Sequence, residues 1–316
     1  MNFKVSLLLY SRQFGTLVGL LVLSLVLWVL TPYFMTLSNL LNIAEQTAVI
    51  AIVAVGMTFV IITAGIDLSV GSVLALSGVI MASALHAGVP LPAAMLTGPG
   101  AGLFCGLLNG LLVAQGRLPP FISTLGMMSV ARGTALVFTQ GRSISGFSES
   151  FRYFASGKVL HLPMPVILML TVYLIAHVVL AKTKLGRYAY AIGGNENATI
   201  LSGVNVKLYK TVIYALCGLL SGVAAIILTA RLNSAQPIAG VMYELDAIAA
   251  TVIGGTSLMG GEGAMWGTLI GALIMGVLRN GLTLLGISSF VQQIVIGSVI
   301  ILAVLVDMML KAKNRG

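Results

Sequence analysis

The sequence at residues 182–210 reads KTKLGRYAYAIGGNENATILSGVNVKLYK. This segment holds five of the 17 Lys and Arg residues and is the long polar interruption between extended apolar runs. Gly193-Gly194 is a turn signal, Asn195 is a residue type that caps helices, and Gly203 is typical of a helix end. The segment therefore predicts a folded loop with a short helix, and it is either a solvent-exposed linker or a docking surface.

The composition around this loop indicates a membrane protein. Hydrophobic residues make up 58% of the 316 residues, charged residues make up 8%, and the mean hydropathy is +1.06. Several apolar runs approach the roughly 20 residues that a helix needs to cross a bilayer. A β-barrel would show short alternating segments instead. The predicted fold class is an all-α polytopic membrane protein with a single membrane domain over 1–316.

Ten spans are predicted, at 14–31, 45–64, 69–87, 92–115, 121–140, 163–181, 209–230, 243–258, 264–285 and 288–308. With the N-terminus inside, eleven Lys and Arg residues lie on the cytoplasmic side and four lie outside. This is the positive-inside bias, so both termini and the loop at 182–208 are predicted in the cytoplasm. The net charge of +9 lies in short loops and does not indicate nucleic-acid binding.

Two glycine ladders suggest an internal duplication. They lie 161 residues apart and comprise Gly102, Gly106 and Gly110, and Gly263, Gly267 and Gly271. Five spans separate the ladders, so the two copies, 14–140 and 163–308, would be inverted in the membrane, as in many transporters. Small residues four apart also let helices pack closely, which explains both ladders without duplication.

The motifs of nucleotide binding and catalysis are missing. The sequence has no G-x-x-x-x-G-K-[ST], H-E-x-x-H, C-x-x-C or G-x-S-x-G, and its three histidines are scattered. The chain is therefore predicted not to be an enzyme and to bind no cofactor or metal of its own. If it transports a solute, the energy comes from elsewhere.

One acidic residue interrupts the apolar runs early in the chain. Residues 65–72 read GIDLSVGS, and Asp67 would cost about 2.5–3.5 kcal/mol at bilayer depth. Asp67 either caps a helix that begins near Ser69, or belongs to a broken helix whose polar groups line the pathway or its gate. Both interpretations remain open from the sequence.

A few other side chains in or beside spans could contact a solute. Asn109 and Asn280 either hydrogen-bond between helices or bind sugar, and Phe121 either stacks on a pyranose ring or is a core aromatic. Arg132 and Arg279 lie within predicted spans, so we expect them to face the bundle or reach an interface.

Several separate motifs carry a resemblance to a known family. They are GMTFV at 56–60, GIDLSVGS at 65–72, NG at 109–110, PFI at 120–122, TLG at 124–126, YAIGGN at 190–195 and ELDAIAATVIGGTSLMGGEG at 244–263. Together they resemble the permease subunits of ABC importers for monosaccharides, of the ribose, xylose, galactose and autoinducer-2 type. The resemblance covers about residues 40–308, in order.

The resemblance implies an assembly in the bacterial inner membrane. Such permeases pair with a second copy or a paralogue, recruit two cytoplasmic ATPase subunits that bind ATP and Mg²⁺, and receive sugar from a periplasmic binding protein. An ATP-independent secondary transporter or facilitator is the alternative; Asp67 is the one candidate for ion coupling.

The resemblance also assigns the coupling helix to the polar loop. The implied ATPase-coupling residues are Gly193, Gly194, Asn195, Glu196, Asn197, Ala198, Leu201 and Gly203. Glu196 and Asn197 have a simpler interpretation as solvated residues that complement the helix dipole.

Overall fold

A computed structural model describes the backbone of residues 3–315 and the side chains of 14–305 and 308–309. The described chain consists of thirteen helices and four two-residue strands. The helices are α1 Phe3–Leu30, α2 Leu37–Ile62, α3 Val70–His86, α4 Leu91–Ala114, α5 Pro120–Thr139, α6 Glu149–Ser156, α7 Met164–Lys182, α8 Lys184–Gly194, α9 Glu196–Leu201, α10 Val206–Leu232, α11 Tyr243–Ile253, α12 Met265–Leu284 and α13 Ser289–Arg315.

The four strands form two small antiparallel sheets between helices. Strand β1 (Ile144–Ser145) pairs with β4 (Ser234–Ala235), and β2 (Lys158–Val159) pairs with β3 (Leu162–Pro163). The first sheet joins the loop after α5 to the end of α10. The second closes the turn between α6 and α7.

The helix lengths confirm an all-α polytopic membrane protein. Among the described residues, six helices are long and apolar enough to cross a membrane, namely α2, α4, α5, α7, α10 and α12. Shorter apolar helices are found at Phe14–Leu30, Val70–His86 and Ser289–Leu305. The segment predicted as a span at 243–258 contains α11, whose 11 residues are too few to cross a bilayer alone. The count of ten spans stays a prediction.

The placement of the termini also stays a prediction. Five of the cations counted on the cytoplasmic side have side chains outside the described part of the chain, namely Lys4, Arg12, Lys311, Lys313 and Arg315.

Helix α2 forms the centre of the bundle. Its residues from Ala51 to Ile62 are all buried, and it contacts α7, α10, α11 and α12. Helix α10 is the second central helix and contacts α2, α3 and α4. Because both helices are apolar on all sides, each can be surrounded by other helices rather than by lipid.

The helix contacts repeat in the two parts of the chain. Helix α3 contacts α4 and α10, and α11 contacts α12 and α2. Exchanging α2 with α10, α3 with α11 and α4 with α12 converts one set of contacts into the other. Helices α1 and α7, which precede α2 and α10, do not follow the exchange, because both contact α12.

The glycine ladders do not follow this exchange. Gly102, Gly106 and Gly110 of α4 face α10; a Cβ on Gly110 would lie 2.6 Å from Thr211 Cα. Gly267 and Gly271 of α12 instead face Gly254 and Ala250, at the end of α11, and Gly263 lies in the loop before α12. The offset of 161 residues therefore does not reflect equivalent contacts, and close helix approach explains the glycines that lie within helices.

Candidate functional site

The polar loop folds as two helices, α8 and α9. Asn195 separates them and caps α9, because its Oδ1 accepts a hydrogen bond from the Ala198 N–H at 2.9 Å. The helix ends at Leu201, and Gly203 follows with a φ of +79°, a conformation that glycine adopts without strain. The short helix between Asn195 and Gly203 has the expected bounds.

Gly193 and Gly194 do not form the expected turn. They are the last two residues of α8, which continues to Asn195. A Cβ on Gly193 would lie 2.5 Å from Gly261 N and 2.9 Å from the carbonyl carbon of Ile62. Gly193 thus allows α8 to touch the end of α2 and the loop between α11 and α12. The turn prediction was wrong because this long-range contact leaves no local signal.

Further contacts attach α8 and α9, together called the connector, to the bundle. The Tyr190 hydroxyl donates to the Gly263 carbonyl at 2.7 Å, and burial raises the pKa of Tyr190 to about 12. The rings of Tyr188 and Tyr209 meet edge to face at 4.6 Å, which joins α8 to α10. The connector is therefore held to α10 as well as to the loop that precedes α12. The sequence motif YAIGGN includes Tyr190, but it does not indicate that Gly263 is the hydrogen-bond partner of Tyr190.

Much of the surface of α9 is exposed. Thr199 is its buried residue, whereas Leu201 is 88% exposed and Ile200 is 51% exposed. Glu196, at the first turn, forms an ion pair with Lys210 of α10 at 2.6 Å. Glu196 is thus neither a purely solvated residue nor unpaired. Asn197 and Ala198 are exposed.

A first break in the membrane helices lies between α2 and α3, at residues 63–69. Asp67 is 1% exposed, and its Oδ1 accepts hydrogen bonds from the Ser69 N–H at 2.9 Å and the Ser69 hydroxyl at 2.6 Å. Asn109 of α4 donates to the same hydroxyl at 2.9 Å. The structure therefore brings Asp67, Ser69 and Asn109 together. The expected helix break is present, but Asp67 does not cap α3, because the residue before α3 is Ser69 and α3 has no side-chain cap hydrogen bond.

A second break lies between α10 and α11, at residues 233–242. Asp246 in the first turn of α11 is 2% exposed, and Arg279 of α12 donates to both of its carboxylate oxygens, at 3.0 and 2.8 Å. Arg132 of α5 donates to the carbonyls of Pro237 and Ala239, at 2.6 and 2.7 Å. The two arginines thus face the bundle. Sequence reasoning missed Asp246 as a partner, although the motif ELDAIAA contains it.

The second break touches the start of α3, directly after the first break. A Cβ on Gly71, in the first turn of α3, would lie 2.8 Å from a Glu244 carboxylate oxygen and 3.1 Å from the carbonyl carbon of Gly240. A Cβ on Gly240 would lie 3.1 Å from Gly71 Cα. Gly240 has a φ of +70°. Two short helices, α3 and α11, therefore begin beside each other in the interior of the bundle.

Two other candidate pathway residues lie apart from the breaks. Asn280 is 7% exposed and exchanges two hydrogen bonds with Asn39, at 3.0 and 2.9 Å, which joins α12 to α2. Phe121, at the start of α5, is 51% exposed, so its interpretation as a core aromatic was wrong. In this arrangement Asn280 holds two helices together and Phe121 points away from the chain's own core.

Comparison with known proteins finds a family that covers most of the chain. Residues 39–304 match the family described as branched-chain amino acid transport system / permease component. The chain belongs to this permease family. The permease is therefore a transporter component, and it is a multi-pass protein of the bacterial inner membrane.

Curated relatives of the permease are sugar importers by name. It is 53% identical over 296 residues to the ribose import permease protein RbsC of Escherichia coli (strain K12), covering 92% of each chain. It is 50% identical to RbsC of Bacillus subtilis (strain 168), covering 94% of this chain and 92% of that one. The D-allose transport system permease protein AlsC of Escherichia coli (strain K12) is 41% identical, with 95% and 92% covered. No solved structure matches.

Proposed function

We propose that the chain is the permease subunit of an ATP-driven importer of ribose or a closely similar monosaccharide. The observation that carries this proposal is an identity of 50–53% to ribose import permeases of two distant bacteria, over more than nine-tenths of the chain. The D-allose and galactose/methyl galactoside permeases are 41% and 37% identical, which ranks ribose first. ATP and Mg²⁺ bind to separate ATPase subunits, and this chain binds neither.

In this proposal α9 is the coupling helix that contacts a cytoplasmic ATPase. Its exposed Leu201 would fill a groove on the partner, and Asn197 and Ala198 would lie at the rim. The contacts of Gly193 and Tyr190 support a role in transmission, because a push on α8 acts directly on the end of α2 and on the loop before α12. Only a connector that is rigidly attached can transmit a movement of α9 to the membrane helices.

The two breaks are the proposed moving region. In transporters with inverted repeats, broken helices meet near the substrate site. The exchange of contacts between the two helix sets supports such repeats, with ten spans, halves at 14–140 and 163–308, and both termini in the cytoplasm.

Asp67, Ser69 and Asn109 would hold the start of α3 in one of two positions. Phe121 would face the sugar pathway or the second permease copy, and Asn280 would hold the scaffold.

Sugar selectivity would lie mainly on the periplasmic binding protein. Tight binding inside the permease would slow release, since conduction needs sites that the solute can leave. This division of roles agrees with a bundle whose described polar side chains mostly hydrogen-bond to the backbone of the chain itself.

Uptake into proteoliposomes tests the proposal. The permease is reconstituted with its ATPase and its sugar-binding protein, and accumulation of labelled ribose is measured with ATP inside or outside. We expect accumulation to require ATP on the ATPase side and to persist with an uncoupler. Accumulation that survives removal of the ATPase but collapses with the uncoupler would establish the secondary-transporter alternative, which the comparisons do not favour.

The coupling role of α9 is tested separately. Glu196→Arg replaces the ion pair with Lys210 by a like-charge contact, and we expect ATP hydrolysis to lose its dependence on sugar, or the ATPase to dissociate, while the spans stay folded. The matched control is Glu149→Arg, at the first turn of α6. Normal coupling in the Glu196 variant would make the connector a simple linker.

A further inference from the structure

A cleft of about 640 Å³ lies at one end of the bundle, between the α4–α5 loop and the α9–α10 loop. Its walls are mainly apolar and include Val113, Leu118, Ile200 and Val204. Three of the helices that end at the cleft, α4, α5 and α10, are candidate membrane spans. The cleft is therefore placed where membrane helices end, at the level of the lipid headgroups.

The rim of the cleft is basic. Arg117, Lys207 and Lys210 line it, together with one carboxylate, that of Glu196. Glu196 pairs with Lys210 at 2.6 Å, whereas no carboxylate among the described side chains pairs with Arg117 or Lys207. Arg117 and Lys207 are exposed. Two positive charges are thus left available to a ligand.

Two helix N-termini add to the positive potential. Helices α5 and α10 both begin at this cleft, with the partial positive charge that unpaired N–H groups give to a helix start. The start of α10 is capped by the Asn205 side chain, which accepts from the Leu208 N–H at 3.1 Å. The residue that precedes α5, Pro119, makes no side-chain cap. Because Pro119 and Pro120 have no backbone N–H, the start of α5 offers the cleft a partial charge rather than hydrogen-bond donors.

We propose that the cleft binds the headgroup of an anionic phospholipid. Arg117 and Lys207 would contact the phosphate, and the apolar walls would contact the first acyl carbons. A free inorganic anion would leave these apolar walls without a partner. A docking protein would be expected to cover the exposed Leu201 of α9, which does not line the cleft. Basic pockets between membrane helices are known to bind such headgroups. This proposal does not depend on which solute is transported.

The test measures lipid binding to the full-length chain in detergent. After delipidation, native mass spectrometry follows titration with phosphatidylglycerol, or with phosphatidylcholine carrying the same acyl chains. We expect one phosphatidylglycerol to bind per chain more tightly than phosphatidylcholine. Each basic side chain contributes about 1 kcal/mol near a lipid surface, so Arg117→Gln with Lys207→Gln should weaken phosphatidylglycerol binding roughly 25-fold.

A matched control removes the same charge elsewhere. Arg142→Gln with Lys158→Gln changes two exposed cations in the segment between α5 and α7, and we expect phosphatidylglycerol binding to be unchanged. The swap Arg117→Lys with Lys207→Arg keeps both charges and should keep the affinity. If the double glutamine variant does not fold, as judged by circular dichroism, Arg117→Gln alone is compared with Arg142→Gln alone.

Four results would overturn the proposal. Equal phosphatidylglycerol affinity in the glutamine variant and its control would exclude the two cations. Equal affinity for phosphatidylcholine would mean unspecific lipid contact. Displacement by the same concentration of inorganic phosphate would indicate a free-anion site. Displacement by the ATPase subunit at stoichiometric concentration would make the cleft a protein docking surface, which also contradicts the proposal.

Discussion

The two breaks at 63–69 and 233–242 stabilise buried carboxylates by different means. Asp67 is held by neutral donors, since no Lys or Arg with a described side chain forms an ion pair with it. Asp246 is held by the guanidinium of Arg279, and the backbone of its break is held by Arg132. The first break is held mostly by Ser69, two residues from Asp67. The second is held by arginines of two other helices, α5 and α12. We infer that the first break rearranges at a lower energetic cost than the second.

The largest effect is expected at the charged break. Arg279→Met leaves Asp246 buried without its counter-ion and should destabilise the chain by about 2–3 kcal/mol. This is below the cost for a fully buried pair, because the Arg279 side chain is 41% exposed. Chemical unfolding in mixed micelles measures it. The double variant Asp246→Asn with Arg279→Met should recover part of the loss, and strict additivity of the two changes would contradict a direct pair.

A smaller effect is expected where the second break meets the start of α3. Gly71→Val places a side chain against the Gly240 backbone, and overpacking of this kind costs about 1–3 kcal/mol. Transport should fall even where the variant is inserted at normal levels. The control is Gly126→Val on α5, where a Cβ would meet nothing within 4 Å. Equal loss in the two variants would show that helix glycines in general, rather than this contact, matter.

The neutral break should be sensitive in function more than in stability. Asp67→Asn keeps an oxygen acceptor for the two Ser69 donors, so we expect a stability loss of about 1 kcal/mol and normal assembly. Uptake should nevertheless fall. Ser69→Ala, which removes a donor and keeps the carboxylate, is the matched comparison. Unchanged uptake by the Asp67 variant at normal expression would leave Asp67 only the role of holding the turn before α3.

The smallest effect is expected for Arg132→Lys. An ammonium group keeps the charge but does not reproduce the geometry of one guanidinium nitrogen bonded to two carbonyls, so about 0.5–1 kcal/mol should be lost. Unfolding midpoints of Arg132→Lys and Arg132→Met are compared. If both variants are as stable as the parent, Arg132 does not hold the second break.

Local signals in the sequence were sufficient for most elements. Apolar runs predicted the bounds of the membrane helices to within a few residues, apart from the longer terminal helices and α2. Asn195 and Gly203 predicted the bounds of α9. Both kinds of prediction succeed because capping and burial depend on neighbouring residues. Long-range partners were missed. Arg279 and Asp246 lie 33 residues apart, and nothing in either local pattern names the other. Gly193 looked like a turn because the contact that explains it is with Ile62 and Gly261.

Within the site, the cluster of Asp67, Ser69 and Asn109 was predicted only as separate candidates. The distance between Asn109 and Ser69 depends on how α3 and α4 pack, which residue types alone do not specify. Phe121 was misjudged for a related reason. An aromatic residue in an apolar helix can face the core, lipid or a second chain, and its side is set by neighbouring helices.

The position of Gly193 constrains the timing of movement. It touches Ile62 in the first proposed half and Gly261 in the second, and the Gly261 N–H itself donates to the Ile62 carbonyl at 2.9 Å. The three backbone segments therefore meet at one point. We therefore expect a displacement of α8 to act on both halves together. Single-molecule distance records across the two halves should show simultaneous steps, with no long-lived state in which only one half has moved.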